Sequence, residues 1–148
     1  MLELKNFIDL DENEQKMVLQ WRNDPNIKKW MVSQEIISLE DHMKFIKNLS
    51  YNKNTLWFLV KKDNQPIGVI NLKENEIGLF KNPSLQGVGT DLLKAIIDYG
   101  LKLYDTLRLE VFNTNTKAIT LYKKHGFRIT KEENGKIYME LKDENRKL

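Results

Sequence analysis

The apolar pattern of this chain changes period once, near its middle, and the change falls on a pair of glycines. Before it, residues 55–62, 66–72 and 76–80 are rich in β-branched and aromatic side chains. They are separated by Lys-Asp-Asn-Gln and Lys-Glu-Asn, a spacing that predicts a hairpin continued into a three-stranded meander. After it, Leu92, Leu93, Ile96, Ile97 and Leu101 recur at helical spacing and predict one long helix starting at Gly89. Between the two lies Glu76-Ile77-Gly78-Leu79-Phe80, a strand that runs through a loop into Gly87-Val88-Gly89.

The flanking segments complete an α+β order. Met17, Val18 and Trp21 mark a helix over residues 13–24 that stops at Pro25. A second is expected from Ser38, with Ser-Leu-Glu-Asp as its capping box and Leu39, Met43, Ile46 and Leu49 as its apolar stripe. Downstream, residues 106–112 read as a strand, 115–125 as a helix, and 127–131 and 136–141 as strands joined by the hairpin-favouring turn Asn134-Gly135. No repeat, low-complexity tract or Pro/Gly-rich linker divides the 148 residues, so a single domain, 1–148, is expected.

Composition removes several chemistries. The absence of cysteine excludes thiolate nucleophiles, Cys-ligated zinc and redox dithiols. A chain of this length buries roughly 70% of its unfolded surface and needs no such staple. The longest strongly apolar run, Trp57 to Val60, is far below the ~18 residues that span a bilayer, so no membrane association is expected and the cytoplasm is the expected compartment. Lysines are interspersed with Glu and Asp, and the net charge of +3 gives no support for nucleic-acid binding. Asp9, Asp11, Glu12 and Glu14 lack the glycine and final glutamate of a calcium loop and read as carboxylates at a helix start; no metal is expected.

Gly87 and Gly89, placed where a helix opens, leave backbone N–H groups directed at one spot, an arrangement suited to phosphate. An ordinary tight turn accounts for the same residues. Some 25 residues on stands Asn115-Thr-Lys-Ala118-Ile-Thr-Leu121-Tyr122-Lys-Lys-His-Gly126-Phe127. Together the two stretches resemble the GNAT N-acetyltransferase family, whose patterns are Gln/Arg-x-x-Gly-x-Gly/Ala and Asn-x-x-Ala-x-x-Leu-Tyr-x-x-x-Gly-Phe. The second is matched in full; in the first, Ser84 stands where Gln or Arg is usual.

The resemblance implies a single-domain fold with a mixed, mostly antiparallel sheet flanked by helices, and direct acetyl transfer from acetyl-CoA to an amine in a ternary complex. It implies that the backbone of Ile77, Gly78 and Leu79 meets the pantetheine arm, that the amides of Leu85, Gln86, Gly87, Val88, Gly89 and Thr90 take the pyrophosphate, and that Asn115 and Ala118 face the cofactor from the other side. Tyr122 is then the acid that protonates the departing thiolate; spacing alone reads it as a packed helix tyrosine, and the full motif reverses that reading. Glu110 is a base candidate, and a cross-strand ion pair explains it as well.

Trp21-Arg22-Asn23-Asp24-Pro25 is similar to the branch of the family that acetylates ribosomal-protein N-termini and amino-sugars. Within it, Met31, the Ser38-to-His42 segment and the 72–76 hairpin are most similar to enzymes acting on the 4-amine of a UDP-linked 4-amino-4,6-dideoxy sugar in pseudaminic-acid biosynthesis. Arg22, Asn23, Met31 and His42 are accordingly the candidate acceptor residues, with a solvated Arg and a satisfied surface His as the alternatives. A protein N-terminus or small amine is the other acceptor, a CoA-binding regulatory domain the non-enzymatic reading, and a homodimer the assembly the resemblance allows.

Overall fold

The switch of period becomes a change of layer. In the computed structural model, which describes residues 2–145, seven strands form one sheet in the order β1-β2-β3-β4-β5-β7-β6. The strands are β1 (Leu2–Asn6), β2 (Thr55–Lys62), β3 (Gln65–Lys73), β4 (Glu76–Lys81), β5 (Thr106–Phe112), β6 (Arg128–Glu133) and β7 (Lys136–Lys142). The helices are α1 (Glu12–Asn23), α2 (Pro25–Lys28), α3 (Leu39–Leu49), α4 (Gly89–Gly100) and α5 (Thr116–Lys124). The meander and the closing hairpin fall where the sequence places them, and Asp63, Asn64 and Asn134 take the positive φ that tight hairpin turns require.

Successive residues of β2 and β3 serve opposite faces, as the strand period demands. Val60, Ile70 and Leu72 pack beneath Leu92, Leu93 and Ile96 of α4, together with Leu107, Leu109, Met139 and Leu141 from β5 and β7. Leu59, Val69 and Phe80 pack on the other face with Phe7, Val18, Trp21, Ile27 and Ile46. The sheet is thus covered on both sides along β2–β4. β6 lies exposed at one edge.

Three local features depart from the sequence reading. β1 pairs along its length with β2 and was not expected, because its five residues bury no side chain completely and carry little apolar signal. Asp24 caps an additional short helix, α2, with Pro25 at its first position. The stripe expected on α3 is also rotated: Leu39 and Met43 are exposed, and His42 is buried beside Ile46. The His42 Nε2–H donates to the Gln15 carbonyl at 2.9 Å, and that bond lets an imidazole replace a hydrocarbon against α1. Ser38 caps α3 by accepting from the Asp41 amide.

The acidic run works as helix-start chemistry. Asp11 accepts from the Glu14 amide at 2.8 Å while Glu14 accepts from the Asp11 amide at 3.0 Å, a complete capping box. Glu14 also bridges Lys5 of β1, at 2.7 Å, and Lys61 of β2, at 3.0 Å, which fastens α1 to the sheet edge. No helix among the described residues is long and apolar enough to cross a membrane.

Burial alone would raise the Glu14 carboxyl, but the Lys5 ammonium, the Asp11 amide and Lys61 together bring it from an ordinary 4.5 down to about 2. A carboxyl lowered by folding adds stability that is fully present above its unfolded value and is lost as pH falls through its folded one. The melting temperature is therefore expected to drop between pH 4.5 and about 2. Glu14→Gln is expected to lower it at neutral pH and to flatten that acid limb in scanning calorimetry; an unchanged limb would assign the acid loss to other carboxyls.

Candidate active site

β4 and β5 are the one parallel pair in the sheet, and they pair at one position, Glu76 with Arg108. The link is reinforced from the β3–β4 turn. The Arg108 amide donates to the Asn75 carbonyl at 2.9 Å, its Nε donates to Asn75 Oδ1 at 2.9 Å, and Asn75 Nδ2 donates to the Thr106 carbonyl at 3.1 Å. Beyond this clamp the two strands share no ladder, which leaves a gap in the hydrogen bonding of the sheet between Gly78–Lys81 on one side and Glu110–Phe112 on the other.

The wide end of the gap meets the start of α4. Val88 occupies the cap position without a side-chain hydrogen bond, and the first helical bond is Leu92 N–H to the Val88 carbonyl, so the preceding amides lack partners within the helix. Asp91, the acidic residue of this first turn, is paired with Lys62 at 3.0 Å. Gly87 holds φ +76° with open space where a Cβ would project. The two glycines therefore have different reasons: Gly87 supplies a left-handed conformation facing open space, whereas a Cβ on Gly89 would press on Leu121 of α5 at 3.2 Å. The loop is anchored by Asn82, whose Nδ2 donates to the Pro66 carbonyl, and by Lys81, whose ammonium donates to the Leu85 carbonyl at 2.6 Å.

On the side of the sheet that carries α4, α5 contributes Asn115, which caps the helix by accepting from the Ala118 amide, and Tyr122. The Tyr122 ring lies 5.9 Å from that of Phe127, and its hydroxyl has no hydrogen-bond partner among the described residues. Burial pushes the phenol up to about 12, so it stays protonated. Ile77 and Leu79 bracket Gly78 on β4, with Ile77 buried in the α4-side core and Leu79 packed against it; Leu85, Val88 and Ala118 pack against the same core. Gln86 and Thr90 are exposed.

The opposite face, which carries α1 and α3, holds Glu110 and the remaining candidates. Leu107, Leu109 and Val111 point into the core, leaving Glu110 on this face, 3.5 Å from the Lys136 ammonium. The cross-strand ion pair is present, so Glu110 is not an isolated carboxylate. Arg22 and His42 line a pocket of about 270 Å³ with Phe7, Phe45, Trp57 and Phe80. Arg22 Nη2 donates to the Ser33 carbonyl at 2.8 Å, while Nη1 is buried without a partner. Desolvation lowers the His42 pKa against the opposing Gln15 bond, which leaves a neutral ring.

Asn23 and Met31 are not brought into this pocket. The Asn23 amide is spent on Ile37, donating to its carbonyl at 2.8 Å and accepting from its amide at 2.9 Å, so it fastens the loop that closes the pocket. Met31 packs against the second core. Sequence reasoning missed Trp57, Phe45, Asn71 and Asn75. The signal available was Asn71 itself, an amide side chain within a strand, where Asn is rare.

Residues 16–127 match the model of the GNAT acetyltransferase family. The chain is 40% identical to acetyltransferase PseH of Campylobacter jejuni over 96% of this chain and 94% of that protein. The fold is similar to the crystal structure of C. jejuni N-acetyltransferase PseH in complex with acetyl coenzyme A, with a TM-score of 0.83 and 33% identity over 97% of this chain and 99% of that one. Spermidine N-acetyltransferase of Vibrio cholerae shares the fold at a TM-score of 0.84 and 20% identity, covering 97% of this chain and 96% of its own.

The free amides at Gly87 and the start of α4, where the helix dipole favours an anion, are suited to a CoA pyrophosphate. Gly87→Val puts a branched side chain into a positive-φ position. It is expected to weaken CoA binding at least tenfold, about 1.4 kcal/mol, in titration calorimetry. Unchanged affinity would move the pyrophosphate away from this loop.

Proposed function

Because the chain belongs to the GNAT acetyltransferase family and is an N-acetyltransferase that uses acetyl-CoA, we propose that its acceptor is the 4-amine of a UDP-linked 4-amino-4,6-dideoxy sugar in pseudaminic-acid biosynthesis. The observation that carries this reading is the Arg22 guanidinium: one nitrogen buried and unpartnered in an aromatic-walled pocket on the face that opens toward the gap. Leaving a buried charged donor unpaired costs more than the ~1–3 kcal/mol of a neutral one, and an anionic acceptor removes that cost. A diphosphate oxygen is suited to the fork of the guanidinium, and the Phe and Trp walls suit a flat base. The match to PseH along nearly the whole chain supports the same reading.

The chemistry follows from the two faces of the sheet. The amine enters from the Arg22 side and attacks the thioester carbonyl in the gap; the C–N bond forms to give a tetrahedral carbon, whose collapse breaks the C–S bond. Tyr122, on the other side, holds a neutral phenol whose O–H is free to donate to the sulfur as charge develops. Glu110, across the gap from Gly78 and held by Lys136, receives the proton lost by the amine, directly or through water. We place the enzyme in the cytoplasm, and a homodimer is the assembly to test by light scattering.

Tyr122→Phe keeps the ring and its contact with Phe127. It is expected to lower kcat by roughly a hundredfold while the affinity for acetyl-CoA changes little. A wild-type kcat would leave Tyr122 as a packing residue.

The acceptor is tested by offering acetyl-CoA with a UDP-4-amino-sugar, a peptide N-terminus and a polyamine and following thiol release. Turnover of the nucleotide-sugar is expected. Arg22→Ala is expected to raise KM for it at least fivefold, about 1 kcal/mol, with KM for acetyl-CoA nearly unchanged and a marked salt dependence in the wild type. Efficient acetylation of the peptide alongside no turnover of the sugar would replace this reading with the protein N-terminal one.

A further inference from the structure

We infer that the groove between the end of α3 and the β2–β4 ladder seats the hydroxylated ring of the acceptor, and that the Asn71 amide orients that ring beside the gap. This rests on the nucleotide-sugar reading of the acceptor and assigns a second subsite to it.

The groove, about 420 Å³, adjoins the Arg22 pocket and shares Phe45 and Trp57 with it. These two rings meet edge to face with centroids 5.1 Å apart, so the two depressions form one trough with an aromatic sill between them. The trough ends at Glu76, the residue paired with Arg108 at the apex of the gap. An acceptor held at Arg22 by its anionic end therefore has its other end carried toward Gly78, where the gap opens.

Asn71 stands at that end. It pairs across β3–β4 with Gly78 and across β2–β3 with Trp57. Its Oδ1 lies over Gly78 so closely that a Cβ there would come within 2.5 Å, which means that the absent side chain of Gly78 is the space the amide occupies. Asn23, Asn75 and Asn82 all spend their amides on other residues. The Asn71 amide has no hydrogen-bond partner among the described residues, nor do the side chains of Lys73 and Glu76, although those two are cross-strand neighbours. A strand position that holds an amide over a glycine, unbonded, and flanks it with a free ammonium and a free carboxylate has donors and acceptors in reserve for a ligand.

The ligand chemistry follows from the inventory. An amide presents two donors and an acceptor in one plane, which matches adjacent hydroxyl or acylamino substituents on a ring. Trp57 offers an aromatic surface to the C–H bonds of such a ring. A polyamine would instead call for clustered carboxylates, and Glu76 is the one acidic residue lining this groove.

The test compares Asn71→Ala with the wild type in three measurements: kcat/KM for a UDP-4-amino-4,6-dideoxy-hexose, inhibition by UDP alone, and KM for acetyl-CoA. The expected result is a fall of at least tenfold in kcat/KM for the sugar, with UDP inhibition within twofold and acetyl-CoA KM within threefold of wild type. Lys73→Met, at the exposed rim, is expected to reduce kcat/KM threefold or more with the same split, and serves if Asn71→Ala does not fold. Sugar turnover and UDP inhibition in the wild type, with kcat/KM unaltered in the variants, would overturn the ring subsite and leave the nucleotide-sugar reading standing. Failure of the wild type to turn over the sugar or to bind UDP would overturn both.

Discussion

One rung of hydrogen bonding sets the geometry of everything functional in this protein. β4 and β5 are parallel, meet at Glu76 and Arg108, and are clamped there by the Asn75 side chain and carbonyl. Ladders of six or more paired positions lie on either side, β3 with β4 and β5 with β7. Were β4 and β5 zipped likewise, the sheet would be continuous and no substrate would reach between its faces. Because they are held at one end and free at the other, the gap has a fixed apex and a wide mouth at the start of α4. Each reactant can then approach from its own side.

The polar groups left unsatisfied cluster around this gap. The first amides of α4 have no side-chain cap, the Tyr122 hydroxyl has no partner, Arg22 Nη1 is buried alone, and the Asn71 amide is unbonded. Other buried polar groups are paired: His42 and His125 are both buried with ring nitrogens donating to carbonyls, and Asn23 satisfies both amide atoms on Ile37. Native proteins pair their buried polar groups, and among the described residues Arg22 Nη1 is the one buried side-chain nitrogen or oxygen without a partner, so it is the group that most calls for an external one. The Lys62–Asp91 bridge fits the same logic, since it occupies the carboxylate that would compete with an anion at the helix start.

Much of this was legible in the residues because it is periodic. The strand alternation of Leu107, Leu109 and Val111 and the helical stripe of α4 each repeat often enough to overrule any single exception, and the Asn115-to-Phe127 motif is dense enough to name a family. What could not be read is set by contacts distant in sequence. β1 exists because Lys5 and Lys61 share Glu14 and because β2 offers it an edge. His42 turns inward because Gln15, 27 residues away, offers a carbonyl. Nothing local to Asn23 reveals that Ile37 claims both ends of its amide. The same blindness hid Asn75, whose partners are 31 and 33 residues downstream.

That separation has a kinetic meaning. The β2–β3–β4 meander and the β6–β7 closure are local hairpins, whereas the Asn75–Arg108 clamp, like the β1–β2 pairing, must close a loop that contains whole helices. Closing such a loop carries an entropic cost that neighbouring turns do not, so the two halves of the sheet can acquire their own ladders before the seam between them is fastened. A molecule that touches both β4 and β5 binds only once the seam exists, and by mass action it holds the two halves together. Substrate and fold are in this sense joined at the same place: a ligand that spans β4 and β5 ties the two half-sheets to each other.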